Sequence, residues 1–167
     1  MVIPDVEELT TGPPHELAAE NAYRKAAAVA DSADPGIGEG ALVLGVDTIV
    51  ALGARVYGKP ADADAARETL TALAGRRHAV LSGVCLIEDG HARHAVASTT
   101  VEFRAMDRAQ IDWYVETGEW RERAGGYAIQ GRGAALVQSI DGDYLNVVGL
   151  PVATLLQLAP GLLFSGS

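Results

Sequence analysis

One carboxylate stands out in the sequence because of its surroundings. Asp47 interrupts an apolar run at residues 41–52, which is the pattern of a strand buried on both faces. A buried charge without a partner is strongly destabilising, so we expect a cation, a metal ion or hydrogen-bond donors to meet Asp47. Lys59 follows the next strand in a Gly-Lys-Pro turn and is one such cation. The alternative interpretation is an aspartate that caps a turn at a strand end.

Two later segments are also polar where regular structure would be apolar. Residues 124–134 contain four glycines, which is too many for a packed helix or strand and indicates a backbone that approaches something closely. Residues 141–151 run from a turn through a polar stretch to Pro151, which is in a favoured position for the first turn of a helix.

Four motifs, in this order, resemble the Maf family of nucleoside triphosphate pyrophosphatases. They are Gly-Val-Asp-Thr-Ile-Val at 45–50, Gly-Lys-Pro at 58–60, Ala-Gly-Gly-Tyr-Ala-Ile-Gln-Gly-Arg-Gly-Ala at 124–134 and Gly-Asp-Tyr-Leu-Asn-Val-Val-Gly-Leu-Pro at 142–151. The resemblance extends from Val2 to Leu156. It implies hydrolysis of dTTP, UTP or related nucleotides, modified ones included, to the monophosphate and pyrophosphate, with a divalent cation, Mg²⁺ or Mn²⁺, as cofactor.

The resemblance also implies roles for four charged residues. Asp47 is the expected proton acceptor and, with Glu8 rather than Glu7, the expected metal ligand, since Mg²⁺ and Mn²⁺ favour oxygen ligands. Lys25 and Lys59 match the phosphate-binding lysines of the family. By their types alone, Glu8 is a solvated acid and the two lysines belong to a helix surface and a turn.

Three further residues are candidates for contacts with the substrate. Thr48 and Gln130 match the pair expected in members that act on dTTP and UTP, and a glutamine amide suits the imide edge of a pyrimidine because it both donates and accepts. Without the resemblance, Thr48 is a strand former and Gln130 a loop surface residue. Arg123 stands where the family commonly has lysine, and a phosphate role for it stays open.

Other patterns favour ordinary structural roles. His91 and His94 are three apart in an expected strand, so they point to opposite faces and indicate hairpin surface rather than a metal site. Cys85, the single cysteine, excludes an internal disulfide and a multi-cysteine zinc site and is expected in the core. The glycines at 131 and 133 do not continue into a dinucleotide-binding motif.

The start of the chain departs from the family pattern. Members open with a strand and a Ser-x-Ser-Pro-Arg-Arg loop, and this chain begins after the place where both are expected. One alternative is therefore a non-catalytic regulatory or binding protein linked to cell division arrest, and another is a start codon placed too far downstream. For the 167-residue chain we expect poor solubility or self-association and at least ~10²-fold lower activity than in an extended form.

The composition limits the class of protein. With 167 residues, 49% hydrophobic and 21% charged, we expect a single domain over residues 1–167, truncated at its amino terminus, with a substantial core. The net charge of −9 disfavours nucleic acid and anionic membranes as partners. No apolar run approaches the ~20 residues of a membrane span, so we expect a cytoplasmic protein. The resemblance to the Maf family also implies that the protein forms a homodimer.

The elements that position these residues follow from periodicity and turn signals. We predict helices at 15–30, 62–74 and 107–117 and near Pro151, strands around Asp47, at Val56 and Tyr57, and at 78–87, and a strand through Val96 and Phe103 that follows an Asp89-Gly90 turn. This order predicts an α/β (α+β) fold. The resemblance implies a Maf/ITPase-like arrangement, with a long twisted mixed β-sheet flanked by helices and two lobes with a cleft.

Overall fold

The computed structural model describes residues 6–32 and 40–163. The first residues of the family resemblance, 2–5, and most of the predicted loop at 34–40 lie outside the described residues. The helices are α1 Pro14–Ala30, α2 Ala63–Leu73, α3 Arg108–Glu116, α4 Tyr144–Val148 and α5 Val152–Leu158. The strands are β1 Val43–Leu52, β2 Arg55–Tyr57, β3 Arg77–Glu88, β4 His91–Phe103 and β5 Val137–Asp141. Two 3₁₀ turns occupy Ala124–Gly126 and Arg132–Leu136.

The five strands form one sheet in the order β2-β1-β3-β4-β5. The α/β class with helices flanking the sheet is confirmed. We expected strands of mixed direction, but every pairing within the described residues is antiparallel. The connections explain this correction: tight turns join β1 to β2 and β3 to β4, and α2 returns the chain so that β3 runs beside β1 in the opposite direction.

Local sequence signals set the ends of the helices and the main hairpin. The Asp62 side chain accepts a hydrogen bond from the Ala65 amide at 2.8 Å and caps α2. Asp107 and Gln110 form a reciprocal capping box at the start of α3. Asp89 and Gly90 both have positive φ, of 48° and 77°, which suits a tight two-residue turn between twisted strands. These predicted boundaries are confirmed to within one or two residues.

Helix α1 lies unusually close to the sheet. A Cβ atom at Gly83 would overlap the carbonyl oxygen of Ala18, and one at Gly45 would overlap that of Ala22. Both glycines are therefore needed for the approach of the helix backbone, which is a steric reason for glycine inside a strand. Ala18 and Ala22 are fully buried in this contact. The close packing sets the height of the polar residues of α1 above β1.

The opposite face of the sheet carries the larger core and the other four helices. Val50 and Val80 of the sheet pack there against α2, α3 and the loops around the 3₁₀ turns. The buried apolar side chains contributed by helices and loops include Leu70, Leu73, Ile111, Tyr114, Val115, Trp120, Tyr127, Ile129 and Leu136. Leu155 and Ala159 cover the end of β3 at Val84 and Leu86. The sheet is thus packed on both faces, as the apolar run around Asp47 predicted.

A buried histidine lies within this core. His78 is 2% exposed, its Nε2 lies 2.9 Å from the hydroxyl of Tyr127, and its ring meets those of Phe103 and Tyr127 edge to face. Burial lowers the pKa of His78 from 6.5 to about 4, because the charged imidazolium loses its hydration there. His78 is therefore neutral in the folded protein at pH 7.

We predict that His78 makes folding sensitive to acid. The unfolded chain binds a proton at this residue below pH 6.5, whereas the folded protein binds it only near pH 4. The free energy of unfolding should therefore fall as the pH drops from 6.5 to 4, by roughly 3 kcal/mol at most from this group. In urea titrations across this range, His78→Gln should show a shallower loss than the wild type. His94→Gln, at an exposed position, is the control, and equal slopes in all three proteins would contradict the prediction.

Two elements were absent from the sequence predictions. β5 pairs with β4 at the sheet edge, and its residues 138 and 139 are polar and exposed, so it lacks the apolar alternation of a typical strand. The five-residue helix α4 is too short to show helical periodicity. Both are held by tertiary contacts rather than by local preference.

Candidate active site

The carboxylate of Asp47 is buried and meets a lysine on α1. Asp47 is 5% exposed, and its Oδ1 lies 2.5 Å from Nζ of Lys25. The same Nζ lies 2.7 Å from Oε1 of Glu8. One ammonium group therefore joins two carboxylates, and the buried charge of Asp47 has the cationic partner that the sequence pattern predicted. That partner is Lys25 rather than Lys59, the cation of the Gly-Lys-Pro turn.

Asn21 completes the surroundings of Asp47 and was not foreseen from the sequence. Its Nδ2 donates to Asp47 Oδ2 at 3.2 Å and to the carbonyl of Leu9 at 3.0 Å, and its Oδ1 accepts from the Leu9 amide at 2.8 Å. It thereby ties the segment that carries Glu8 to α1. Asn21 is four residues before Lys25, so the two share one helix face. The sequence signal that could have identified Asn21 is its spacing of four residues from Lys25 in an alanine-rich helix.

The environment keeps Lys25 charged. Burial by itself lowers the pKa of Lys25, but the hydrogen bonds and charges of Asp47 and Glu8 together outweigh it and leave the pKa above its ordinary value. Lys25 therefore remains the cationic partner of the buried Asp47 side chain.

Asp47 and Thr48 are neighbours in β1 and therefore point to opposite faces of the sheet. Asp47 faces α1, whereas the Oγ1 of Thr48 faces α4. Both reach the same cavity because β2 pairs only with residues 50–52 of β1. Among the described residues, no other strand pairs with this edge of β1 before residue 50. The cavity, of about 200 Å³, wraps around this open edge.

A chain of polar groups anchors Thr48 on the α4 side. Thr48 Oγ1 lies 2.8 Å from Ser82 Oγ, and Ser82 Oγ donates to the backbone carbonyl of Asn146 at 3.4 Å. The side chain of Asn146 is fully buried and donates to the carbonyl of Val80 and to Thr99 Oγ1. Ser82 and Asn146 were not identified from the sequence, since buried polar side chains in a strand and a short helix give no periodic signal.

The glycine-rich segment forms the far wall of the cavity. Tyr127 lines it and is held from behind by His78. The amide of Ala128 donates to the buried hydroxyl of Tyr114 at 3.0 Å. Glu119 accepts from the amides of residues 132 and 133 just beyond. Gln130 lies between these two anchored stretches and has an exposed side chain on the cavity wall. Its side chain therefore projects from a fixed backbone.

Most of the predicted site residues line this one cavity. Lys25, Asp47, Thr48, Lys59 and Gln130 all belong to its lining, together with Arg123. Glu8 is outside the lining and reaches the site through Lys25.

Two exposed basic side chains stand at the cavity. Lys59 has an exposed side chain and, in the described part of the chain, only a loose ion pair with Glu122, 3.6 Å between Nζ and Oε2. Arg123 is also exposed and is next to Glu122 in the chain. Since exposed ion pairs of this kind contribute little to stability, these cations are free to turn toward an anionic ligand.

The described residues contain no group of three or more histidine, cysteine, aspartate or glutamate side chains that could hold a metal ion. His91 and His94 are both exposed on β4, as predicted for hairpin surface. Cys85 is fully buried in the core beneath α1, as predicted.

None of the helices in the part of the chain that the structure describes has both the length and the apolar character needed to cross a membrane.

Comparison with known proteins identifies the family. The family model described as "Maf-like protein" matches residues 1–161. The chain belongs to the Maf family. The four motifs on which the resemblance rested lie within that match, and in the structure each of them supplies residues to the lining of the cavity around Asp47.

Curated relatives of this Maf protein carry an activity in their names. A protein of Symbiobacterium thermophilum named dTTP/UTP pyrophosphatase is 46% identical over 160 residues, which are 95% of this chain and 80% of the relative. One of Anaeromyxobacter dehalogenans with the same name is 46% identical over 153 residues, 89% of this chain and 74% of the relative. A third, from Pyrococcus furiosus, is 45% identical over 116 residues, 70% of this chain and 61% of the relative.

Proposed function

We propose that this Maf protein hydrolyses dTTP and UTP to the nucleoside monophosphate and pyrophosphate. The observation that carries the proposal is the convergence of Asp47, Thr48, Lys59 and Gln130 on one cavity. The names of the relatives support the same activity. The cavity offers a carboxylate for proton transfer, cations for phosphate, and the Thr48 hydroxyl and the Gln130 amide for the base, which are the groups that this reaction needs.

Asp47 acts as the general base in this proposal. Its Oδ1 is held by Lys25, whereas Oδ2 accepts, among the described residues, only the longer hydrogen bond from Asn21, so Oδ2 keeps lone pairs to orient and deprotonate water. A carboxylate on a rigid strand, fixed by two partners on α1, is well positioned for this task. Its burial removes competing water from the reacting centre.

The lysines stabilise negative charge on the polyphosphate. Lys59 has an exposed ammonium that is free to move to a phosphate oxygen, and charge stabilisation of this kind is a main source of rate in phosphoryl chemistry. Lys25 is bound by two carboxylates, so its first role is to hold Asp47 and Glu8 in place. It contacts phosphate with the part of its surface that faces the cavity.

Asp47 and Glu8 would hold a divalent cation, Mg²⁺ or Mn²⁺. Both side chains are carboxylates, and both lie against the same ammonium group of Lys25. Carboxylate is the donor type that suits Mg²⁺, which is commonly bound by one or two carboxylates plus substrate phosphates. When bound, such a cation neutralises charge on the phosphates. The cytoplasmic location, the homodimer and the single domain stay predictions.

The proposed activity predicts a ranking of substrates. With Mg²⁺ or Mn²⁺, pyrophosphate release should be fastest from dTTP and UTP and slower from dCTP and dGTP. Gln130→Ala should reduce the preference for pyrimidine nucleotides over dGTP while leaving the melting temperature unchanged, because it removes base contacts from an exposed residue. Gln138→Ala, exposed on β5, is the matched control. Binding of dTTP without any release of pyrophosphate would favour the non-catalytic alternative, and an unchanged ranking would return Gln130 to the loop surface.

A further inference from the structure

The neighbours of Thr48 determine whether its hydroxyl donates or accepts the hydrogen bond with Ser82. A hydroxyl has one hydrogen to donate and two lone pairs to accept with. Thr48 Oγ1 and Ser82 Oγ lie 2.8 Å apart and either could be the donor. If Thr48 donates to Ser82, only its lone pairs remain for the cavity. If it accepts from Ser82, its hydrogen is free for a ligand.

The backbone carbonyl of Asn146 determines which direction the hydrogen bond between Thr48 and Ser82 takes. When Thr48 donates to Ser82, the hydrogen of Ser82 is free to donate to that carbonyl, 3.4 Å away, and both contacts form. In the opposite direction the single hydrogen of Ser82 is used on Thr48, and the contact with Asn146 is lost. Ser82 is completely buried, so water does not replace the lost bond. The direction that forms both bonds is favoured, and each bond strengthens the other.

Asn146 is itself fixed, so the acceptor at the end of this chain does not move. Its Nδ2 donates to the carbonyl of Val80 at 3.0 Å and to Thr99 Oγ1 at 2.9 Å. Thr99 in turn donates to the carbonyl of Asp143, at the start of α4. The backbone carbonyl of Asn146 also accepts from the Gly149 amide, which leaves its second lone pair for Ser82.

We infer that Ser82 is a positioning residue that makes Thr48 a hydrogen-bond acceptor toward the nucleobase. An acceptor at this place pairs with the ring N–H of thymine or uracil. It faces a lone pair on the corresponding ring nitrogen of cytosine, which is repulsive. Ser82 thus contributes to the preference for imide bases without touching them. The inference rests on the proposed function, in which Thr48 contacts the base.

Gln130 by itself does not supply this discrimination. A side-chain amide carries both a donor and an acceptor, and rotation by about 180° exchanges them. Gln130 is exposed, with no hydrogen bond of its side chain among the described residues that would hold one orientation. It therefore adapts to cytosine as readily as to uracil. A group of fixed direction is needed, and the Thr48 hydroxyl, tied through Ser82 to the backbone, is such a group.

The test is the ratio of kcat/KM for dTTP to that for dCTP. In Ser82→Ala the hydroxyl of Thr48 loses its acceptor and is free to donate to cytosine, so the ratio should fall about tenfold, the effect of one hydrogen bond. Ser82→Thr keeps the hydroxyl and should retain the ratio. Ser139→Ala makes the same change on exposed β5 and should leave it unchanged. A wild-type ratio in Ser82→Ala would overturn the inference.

A double-mutant cycle separates positioning from general loosening of the fold. In Thr48→Val there is no hydroxyl to orient, so adding Ser82→Ala should not change the ratio further. An equal fall in both backgrounds would show that Ser82 acts through stability alone and would overturn the inference. This comparison remains decisive if the extra methyl group of Ser82→Thr disturbs the buried position.

Binding measurements separate this inference from the proposed activity. Calorimetry with dTMP and dCMP gives the same base preference without turnover. If the wild type released no pyrophosphate but bound dTMP more tightly than dCMP, and Ser82→Ala removed that difference, the proposed activity would fail and the inference would hold. If dTTP were hydrolysed with a preference that Ser82→Ala did not alter, the proposed activity would hold and the inference would fail.

Discussion

Asp47→Asn should lower kcat for dTTP by about 10²- to 10⁴-fold, the range expected for loss of a general base. The substitution preserves the shape of the side chain in its buried position while removing its ability to take a proton. Lys25 keeps a charged partner in Glu8, so the fold should persist. KM should change less than kcat, because the lost contribution belongs to the transition state. Steady-state release of pyrophosphate measures both constants.

The control for this variant is Asp141→Asn. Asp141 is exposed at the end of β5 and, in the part of the chain that the structure describes, has only a long contact with Arg77, at 3.7 Å. The same change of charge there should leave kcat within about twofold of the wild type, since exposed ion pairs contribute little. If Asp47→Asn retained near wild-type turnover while it remained folded, Asp47 would not be the base, and its burial would need a purely structural explanation.

Lys25→Met should strongly lower the free energy of unfolding. Within the described residues, it leaves the buried carboxylate of Asp47 with only the hydrogen bond from Asn21. Removing one partner of a buried ion pair typically destabilises a protein by about 3–5 kcal/mol. Since Glu8 also loses its partner, the two carboxylates should repel each other and the activity should fall as well. Urea unfolding measures the first effect and pyrophosphate release the second.

The adjacent arginine provides a matched control. Arg24 pairs with Glu20 at 2.8 Å on the same helix, but both side chains are more than a third exposed. Arg24→Met should therefore change the free energy of unfolding by less than about 1 kcal/mol. Combining Lys25→Met with Asp47→Asn should restore part of the lost stability, because the unpaired charge is then removed. Equal destabilisation by Lys25→Met and Arg24→Met would contradict the buried-pair explanation.

The sequence by itself determined the parts of this protein that depend on neighbours along the chain. Apolar periodicity, the caps at Asp62 and Asp107 and the Asp89-Gly90 turn are local signals, and the helices and the hairpin follow them closely. The position of a charged residue inside the apolar run of β1 is also a local signal, and it is sufficient to predict that Asp47 needs a partner. Most of the candidate residues for the site came from the same motifs.

Only the tertiary structure decided how those residues meet. The partner of Asp47 is Lys25, 22 residues earlier in the chain, because two glycines in the sheet allow α1 to approach it. Thr48 is next to Asp47 in sequence but on the other face of β1, where it meets Ser82 from a different strand. Contacts between elements depend on packing distance and on strand register, which local patterns do not encode. For the same reason Asn21, Ser82 and Asn146 became visible only in the folded chain.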